Sequence, residues 1–247
     1  MRADKRPSDA LRPFSLVADY LEFAEGSAYI EIGKTKVVAA ATIEEKVPPF
    51  LKGSATGWIT AEYGMLPCST EKRTVRERNL GRASGRTQEI QRLIGRVLRT
   101  VTDLSTLGER TITIDCDVLQ ADGGTRTASI TVGCIALALA LKKMMDRGTI
   151  DRMPLQNLVS AVSVGIVNRE FLLDLDYQED SSAEIDMNVV KTDTGKIVEI
   201  QATAEKSPFT KKDFNTLLNL AEKGITKLIS AQKALLKEKS LMFIAYG

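Results

Sequence analysis

Alternating and helically spaced apolar residues divide the chain into two stretches with a similar plan. In the first stretch, the β-rich residues 28–43 predict a hairpin that turns at Gly33, and alternating apolar residues over 110–120 predict a strand. Apolar residues spaced three and four apart predict a helix over 87–101. A second helix is predicted over about 127–145, and because it is apolar nearly all round, we expect it to be buried on most sides.

The second stretch repeats this plan with two hairpins and a closing helix. Each stretch is therefore a set of strands followed by a long helix, which suggests an internal duplication. No Gly/Ser/Pro-rich linker separates them, so we expect one α+β domain over 1–247 with two similar halves. Residues 44–85 are irregular and rich in Gly, Pro and charge, which is typical of a functional loop or a binding surface. The elements predicted in the second stretch are hairpins over 158–167 with 171–177 and 184–191 with 196–203, and a helix over about 211–237.

The composition excludes several kinds of chemistry. The 247 residues include no histidine, which rules out a Ser–His–Asp or Cys–His nucleophile and zinc held by imidazole. Cys68, Cys116 and Cys134 form no C-x-x-C pair, so neither a zinc site nor a disulfide framework is indicated. The first residues lack the apolar stretch of a signal peptide, and the longest apolar run, 134–141, is too short for a membrane span. We therefore expect a soluble, cytoplasmic protein.

The net charge of +2 conceals a strong segregation of charged residues. Residues 71–99 contain nine basic and three acidic side chains, whereas residues 170–186 contain seven acids and no Lys or Arg. Eight of the nine bases are arginines, which favour bidentate contacts to phosphate or carboxylate. Arg92, Arg96 and Arg99 lie opposite the apolar stripe of their predicted helix, as expected for a solvated face or a subunit contact.

Two arginines stand at predicted helix starts. If the first helix begins at Ser84 or Gly85, Arg86 projects toward the protein body, where its guanidinium needs either an internal carboxylate or a bound phosphate. The second, Arg126, belongs to the turn DGGTRT at 122–127, whose glycines let backbone N–H groups converge in front of a helix. A glycine turn alone is weak evidence, but two arginine forks at helix starts favour one shared anion site.

The acidic segment has the composition of a magnesium site. By strand alternation Asp174 shares a face with Asp176, and Asp180 lies in the loop that follows. On the next strand Glu184, Asp186 and Asn188 share a face. Mg²⁺ takes one or two carboxylates and completes its shell with water and substrate phosphate. Solvent-facing acids on a hairpin would give the same pattern, and spacing alone does not choose among the seven acids.

Seven motifs, in order along the chain, carry a resemblance to a known family. The most specific are IDCDVLQADGGTRTASI at 114–130 and DYQEDSSAEIDMNVV at 176–190. The others are LRP at 11–13, AEGS at 24–27, VPPFL at 47–51, GWITAEYGMLP at 57–67 and SGRTQEIQRLIGR at 84–96. With these motifs nearly the whole chain resembles the ribonuclease PH family of phosphate-dependent 3′→5′ exoribonucleases.

The resemblance implies a fold, an assembly and a reaction. The fold is the α+β ribonuclease PH fold with duplicated βαβα-type halves, like the second domain of a ribosomal small-subunit protein, and the assembly is a homohexamer, a trimer of dimers. The implied reaction trims the 3′ ends of tRNA precursors and of other RNAs with a single-stranded 3′ end. Orthophosphate releases nucleoside 5′-diphosphates, the reverse reaction adds nucleotides, and no membrane partner is expected.

The resemblance also assigns roles to eight residues. Orthophosphate is its own nucleophile and needs no activated Ser, Cys or His, which agrees with a chain free of histidine. The implied metal is Mg²⁺, with Mn²⁺ as the alternative. The implied roles are phosphate binding by Arg86, Gly124, Thr125 and Arg126, with Arg126 also catalytic; metal binding and catalysis by Asp180 and Asp186, one of which would assist proton transfer; and RNA binding by Arg73 and Arg76.

Three positions depart from the family pattern. Cys68 stands where relatives usually have Arg, and Ala202 and Lys206 stand where they usually have Gly. We expect these three departures to affect RNA binding, the contacts between subunits and the turn after the last strand. They leave the phosphate-binding and metal-binding residues unchanged.

Two alternative functions stay open: an inactive ring subunit that holds RNA for a partner, and a small-metabolite phosphotransferase. The complete set of site residues argues against the first alternative. The charge of +6 over residues 71–99 favours a polyanionic substrate over a metabolite and so argues against the second.

Overall fold

A computed structural model describes residues 2–77 and 81–242, so Arg78 of the basic segment lies outside the described residues. The first stretch of the chain forms a five-stranded sheet of β1 (Phe14–Ala18), β2 (Gly26–Ile32), β3 (Thr35–Glu44), β4 (Trp58–Met65) and β5 (Thr111–Gln120). Its spatial order is β1-β2-β3-β5-β4, in which β4 runs parallel to β5 and the other neighbours are antiparallel. Parallel neighbours need a crossover connection, which α1 (Gly85–Thr100) and the short α2 (Leu104–Leu107) supply.

The second stretch forms an antiparallel sheet that α5 (Lys211–Glu238) covers. Its strands are β6 (Val159–Val167), β7 (Glu170–Leu173), β8 (Ile185–Thr192) and β9 (Ile197–Ala204), in the order β7-β6-β8-β9. A short helix, α4 (Tyr177–Ser182), connects β7 to β8. The helix α4 and the strands β8 and β9 form one side of the site described below.

One helix, α3 (Thr125–Asp146), lies between the two sheets and contacts β2 and β3 on one side and β6 on the other. Every side chain from Thr127 to Leu141 is buried, as its continuous apolar sequence predicts. Its buried Ser129 and Thr131 hydroxyls donate to backbone carbonyls one turn earlier, at 2.9 and 3.0 Å. In the described chain α3 alone is long and apolar enough to cross a membrane, but 83% of that stretch is buried inside the fold, so it is the core helix.

The predicted α+β class is confirmed, and two strands were missed. The segment 44–85, expected to be irregular, contains β4, and the polar arm before residue 28 contains β1. The order β4-α1-β5-α3 gives a βαβα unit in the first half. In the second half the six-residue α4 stands between strands instead of a long crossover helix, so the two halves are similar rather than identical.

Candidate active site

An open cleft with a volume of about 950 Å³ lies where the N-termini of α1 and α3 face α4, β8 and β9. It brings together four of the residues singled out in the sequence, and most of its lining is polar. The chemistry-bearing residues that line it are Arg86, Glu89, Arg126, Asp180, Asp186, Asn188, Gln201, Glu205 and Lys206.

Arg86 reaches the cleft from the first turn of α1. Ser84 caps this helix by accepting a hydrogen bond from the Thr87 N–H at 3.1 Å, and the Thr87 hydroxyl donates to Glu77 at 2.7 Å. The expectation that Arg86 faces the protein body is wrong: Thr87 takes the buried position and Arg86, about 100° round the helix, is exposed. Arg86 makes no hydrogen bond or ion pair with any residue the structure describes, so an internal carboxylate is not its partner.

Arg126 reaches the cleft from the first turn of α3, behind the glycine turn. Gly123 and Gly124 have φ angles of 73° and 66°, in the left-handed region that glycine tolerates. A Cβ on Gly123 would collide with the carbonyl oxygen of Leu175, so this turn packs directly on the backbone that precedes α4. No side chain caps α3, which leaves its first backbone N–H groups available to an anion.

The hydroxyl of Thr125 points away from the cleft. Thr125 is buried, and its Oγ1 accepts a hydrogen bond from the Tyr63 hydroxyl at 2.9 Å. Burial raises the pKa of Tyr63, so this tyrosine stays protonated and donates. Neither Gly124 nor Thr125 lines the cleft, and what they can offer an anion is backbone N–H rather than side chain.

Two polar side chains orient the Arg126 guanidinium. Its Nη1 donates to Glu89 Oε1 at 3.0 Å and to Gln201 Oε1 at 2.6 Å, and Gln201 Nε2 donates back to Glu89 at 3.0 Å. The Nη2 and Nε groups of Arg126 make no hydrogen bond to the described part of the chain. Arg126 therefore presents an oriented fork that still has donors for an incoming anion.

The acidic segment is arranged differently from the sequence prediction. Asp174 and Asp176 do not share a strand face, because β7 ends at Leu173 and Asp174 has a left-handed φ of 57°. Asp176 instead caps α4 in a capping box with Glu179, in which each side chain accepts from the other residue's backbone N–H. Asp180, expected in a loop, lies in α4.

Among the carboxylates that line the cleft are the two to which the resemblance assigns the metal, Asp186 on β8 and Asp180 on α4. Burial, followed by repulsion from Asp180, raises the pKa of Asp186 to about 6. Burial also raises the pKa of Asp180, while Arg86 and Arg126 oppose that change by lowering it. The arginines and the carboxylates thus form one electrostatic unit.

The same two carboxylates fit a hard divalent cation. The Oδ1 atom of Asp186 is buried with no hydrogen-bond partner among the described residues, and it lies beside a second carboxylate that repels it. The described residues contain no cluster of three or more Cys, Asp or Glu side chains suited to a metal. Two carboxylates at an open cleft match Mg²⁺, which keeps several waters and shares its shell with substrate phosphate.

Family models match most of the chain. The model of domain 1 of the 3′ exoribonuclease family matches residues 10–143, and the model of domain 2 matches residues 157–224. The chain belongs to this family. Its curated relatives include the ribonuclease PH of Moorella thermoacetica, 57% identical over 236 residues (96% of this chain and 94% of that protein), and that of Bacillus subtilis, 56% identical over 237 residues (96% and 97%).

Solved structures agree with the family fold. Rice (Oryza sativa) Rrp46 is 20% identical with a TM-score of 0.77, covering 95% of this chain and 100% of that one. The Archaeoglobus fulgidus exosome with RNA bound to the active site is 22% identical with a TM-score of 0.75, covering 97% and 92%. These structures confirm the predicted fold. The family models and the curated relatives confirm the family predicted from the sequence motifs and the enzyme class, a phosphorolytic 3′→5′ exoribonuclease.

Arg73 and Arg76 lie outside the cleft, on an exposed loop that follows β4. A backbone hydrogen bond of 2.8 Å from Thr74 to Pro67 closes this loop, which also exposes Cys68. Because the loop lies outside the cleft, the geometry of the cleft does not test RNA binding by these two arginines, which stays a prediction.

The two other departures from the family pattern do line the cleft. Ala202 adds no polar group to it, whereas the Lys206 ammonium donates to the carbonyl of Ser182 at 2.6 Å. Lys206 therefore ties the segment after β9 to the end of α4, the helix that carries Asp180. The departure changes the rim of the cleft and leaves the arginines and carboxylates in place.

Glu89 and Gln201 are cleft residues that the sequence analysis did not assign. Glu89 lies three residues after Arg86, so helical spacing alone puts both on one face of α1. Gln201 pairs with Asn188 across β8 and β9, which puts it on the cleft side of the sheet. A search for polar partners of Arg126 along these two faces would have found both.

Proposed function

We propose that this member of the 3′ exoribonuclease family trims the 3′ ends of tRNA precursors and other RNAs by phosphorolysis. One observation carries the proposal: the arginine forks of Arg86 and Arg126 line the same cleft as Asp180 and Asp186, in a chain without histidine. Such a cleft can neutralise an attacking phosphate and a phosphodiester together, and orthophosphate, which is its own nucleophile, needs no histidine-activated side chain there.

Orthophosphate is placed by Arg86, by Arg126 and by the N-terminus of α3. Arg86 has its donors free of described partners, and Arg126 has Nη2 and Nε free of them. The backbone N–H groups that follow Gly124 add the partial positive charge of the helix end. These fixed donors offset the repulsion between two anions, which is the main barrier to bringing them into contact.

The reaction exchanges one P–O bond for another. An oxygen of orthophosphate bonds to the phosphorus of the terminal phosphodiester, the bond to the 3′ oxygen of the preceding nucleotide breaks, and a nucleoside 5′-diphosphate leaves. The 3′ oxygen takes up a proton, and one of the two carboxylates, Asp180 or Asp186, would assist this transfer. Run in reverse, the same groups add a nucleotide to a 3′ end.

We assign the divalent metal, Mg²⁺ or Mn²⁺, to Asp180 and Asp186. Bound there, the metal would stabilise negative charge on the leaving oxygen. The partnerless Oδ1 of Asp186 and its repulsion by Asp180 support this assignment, because a cation would coordinate that oxygen and offset the repulsion.

The products released from a short RNA with a single-stranded 3′ tail test the proposal. With Mg²⁺ present, we expect nucleoside diphosphates to appear only when orthophosphate is added. Monophosphates released without orthophosphate would make the protein a hydrolase and remove the role given to the arginines. RNA that binds but is not shortened would instead support the inactive ring subunit.

We also propose that Arg73 and Arg76 grip the RNA outside the cleft. Both are exposed, and each phosphate contact contributes to the salt dependence of binding. In the double variant Arg73→Ala/Arg76→Ala we expect weaker RNA binding and a slope of log K against log salt that is shallower by about 1.4. Arg152→Ala, which removes an exposed arginine far along the chain, is the control and should leave the slope unchanged. An unchanged slope in the double variant would move the RNA path elsewhere, and RNA binding insensitive to salt would favour a metabolite substrate.

For the assembly we propose a homohexamer, a trimer of dimers, acting in the cytoplasm as one domain over 1–247. Exposed apolar side chains at β1 and the turn after it support a subunit contact, among them Phe23, which is 97% exposed. One hydrophobic cluster runs from the first sheet through α3 to Val159 and Leu236, which supports a single domain.

A further inference from the structure

The N-terminal arm of the chain buries an arginine against the acidic segment. Arg12 and Asp174 are 4% and 3% exposed. The Arg12 guanidinium donates through Nε to Asp174 Oδ2 at 3.0 Å and through Nη2 to Oδ1 at 2.7 Å, and its backbone N–H donates to Oδ2 at 2.8 Å. Arg6 Nη1 also donates to Asp174 Oδ2, at 3.2 Å. Asp174, one of the seven acids of the segment, is therefore fully engaged by arginines of the arm and unavailable to a metal.

The same guanidinium also holds the glycine turn in front of α3. Arg12 Nη1 donates to the carbonyl oxygen of Asp122, and Nη2 lies 3.5 Å from that of Gly123. Thr35, which is fully buried, reinforces this grip: its hydroxyl donates to the Gly123 carbonyl at 2.7 Å and accepts from the Asp122 N–H at 2.9 Å. Arg12 thus connects the backbone that begins α3 with the backbone that leads into α4.

Two further arginines of the arm hold α4. Arg2, 7% exposed, forms a bidentate pair with Glu179 with both distances 2.7 Å, and it donates to the carbonyl oxygens of Leu173 and Asp174. Arg6 bridges Glu179 at 3.2 Å and the Asp174 carbonyl at 2.7 Å. Glu179 is the residue before Asp180, so these contacts fix the turn of helix that carries the cleft carboxylate.

We propose that Arg2, Arg6 and Arg12, here called the arginine clamp, are positioning residues for the reaction. Arg12 fixes the glycine turn, with its N–H donors, against the backbone that leads into α4. Arg2 and Arg6 fix the turn of α4 that carries Asp180. None of the three lines the cleft. The inference rests on the proposed function, because it assigns the clamp to the phosphate and carboxylate sides of that same cleft.

The guanidinium fork is what lets one side chain serve two sites. A lysine at position 12 would keep the charge beside Asp174 but could not satisfy both carboxylate oxygens and two loop carbonyls at once. Gly33, with a φ of 57°, leaves room for this fork, since a Cβ there would collide with Arg12 Cδ. The contacts separate the roles of the two residues. Arg12 contacts the glycine turn, whereas the described contacts of Arg2 are with α4, with the backbone before α4 and with the arm itself.

The variants Arg12→Lys and Arg2→Lys test this division. In Arg12→Lys we expect the KM for orthophosphate, and its dissociation constant measured by calorimetry on the full chain, to rise by about 10–100-fold with RNA affinity unchanged. In Arg2→Lys we expect a lower kcat with an unchanged KM for orthophosphate. Leu217→Ala, which opens a cavity in the core beneath α5, lowers the melting temperature without touching the cleft and is the stability control.

A second pair of variants covers the case in which Arg12→Lys does not fold. Thr35→Val removes the other hold on the glycine turn in nearly the same volume and should weaken orthophosphate binding, while Thr35→Ser keeps the hydroxyl and should restore it. Orthophosphate binding equal to wild type in Arg12→Lys or in Thr35→Val, or equal losses in all variants including Leu217→Ala, would overturn the inference. Calorimetry measures phosphate binding without turnover. Wild-type protein that binds orthophosphate but yields no diphosphates would therefore refute the proposed function. The orthophosphate affinities of the Arg12 and Thr35 variants would still show whether the clamp positions the phosphate donors.

Discussion

Arg126→Ala is expected to abolish phosphorolysis while RNA binding persists. Arg126 supplies the fork that faces the cleft, and its loss removes fixed positive charge where two phosphates must meet. Removing one such preorganised donor costs about 10²–10³-fold in turnover. Diphosphate release at saturating RNA measures the loss, and electrophoretic mobility shifts measure RNA affinity.

The matched control is Arg92→Ala, which removes an exposed arginine from α1 outside the cleft. Turnover in this variant should remain at the wild-type level. A collapse of RNA affinity in Arg126→Ala with orthophosphate binding intact would place Arg126 in the RNA path and remove it from the anion site.

Glu89 gives Arg126 a partner that orthophosphate can displace. The ion pair between them is 3.0 Å long, and the Glu89 side chain is 45% exposed, so it can turn to solvent at little cost. Gln201 holds the same Nη1 and stays in place on β9. Gln201 therefore orients Arg126, and Glu89 neutralises its charge. Orthophosphate needs to replace only Glu89.

The elements that the sequence predicted well are those whose burial follows one simple period. The continuous apolar run predicted α3 because this helix is buried on nearly all sides. The alternation of apolar and polar residues predicted β5 because one face of that strand is buried and the other is not. The strand β4 has the same alternation, with Ile59, Ala61 and Tyr63 buried. It was missed because small residues, prolines and charges around it dilute the signal.

The candidate site divides in the same way. Arg86, Arg126, Asp180 and Asp186 converge in one cleft. The positions of the two arginines at helix starts already favoured one shared anion site, whereas only the motifs chose these two carboxylates among the seven acids. The placement of Asp174 could not follow from alternation, because an arginine 162 positions away decides it. The helix α4 has no apolar residues at helical spacing, so its capping box, Asp176 with Glu179, is the sequence signal that indicates a helix there.

Asp186→Asn is expected to remove Mg²⁺-dependent turnover, by about 10²–10³-fold, while orthophosphate and RNA still bind. An amide keeps the shape of the carboxylate but supplies one neutral oxygen in place of two that share a negative charge, which leaves Asp180 as the one remaining carboxylate assigned to the metal. The same loss is expected in Asp180→Asn. Diphosphate release measured against Mg²⁺ concentration gives the result.

Stability separates this loss from misfolding. Burial and Asp180 raise the pKa of Asp186 from 3.8 to about 6, so the ionised form is disfavoured in the folded chain. This penalty is absent below pH 3.8 and grows as the pH rises to about 6, above which it is complete. At neutral pH without metal, Asp186→Asn should therefore melt no lower than wild type.

Asp115→Asn is the matched control for Asp186→Asn, because Asp115 is another half-buried carboxylate whose pKa burial raises, on β5 and outside the cleft. It should keep full turnover at every Mg²⁺ concentration. Full activity in Asp186→Asn or Asp180→Asn would refute the assignment of the metal to that carboxylate. Equal losses in the cleft variants and in Asp115→Asn would show that buried negative charge in general, rather than these two carboxylates, supports turnover.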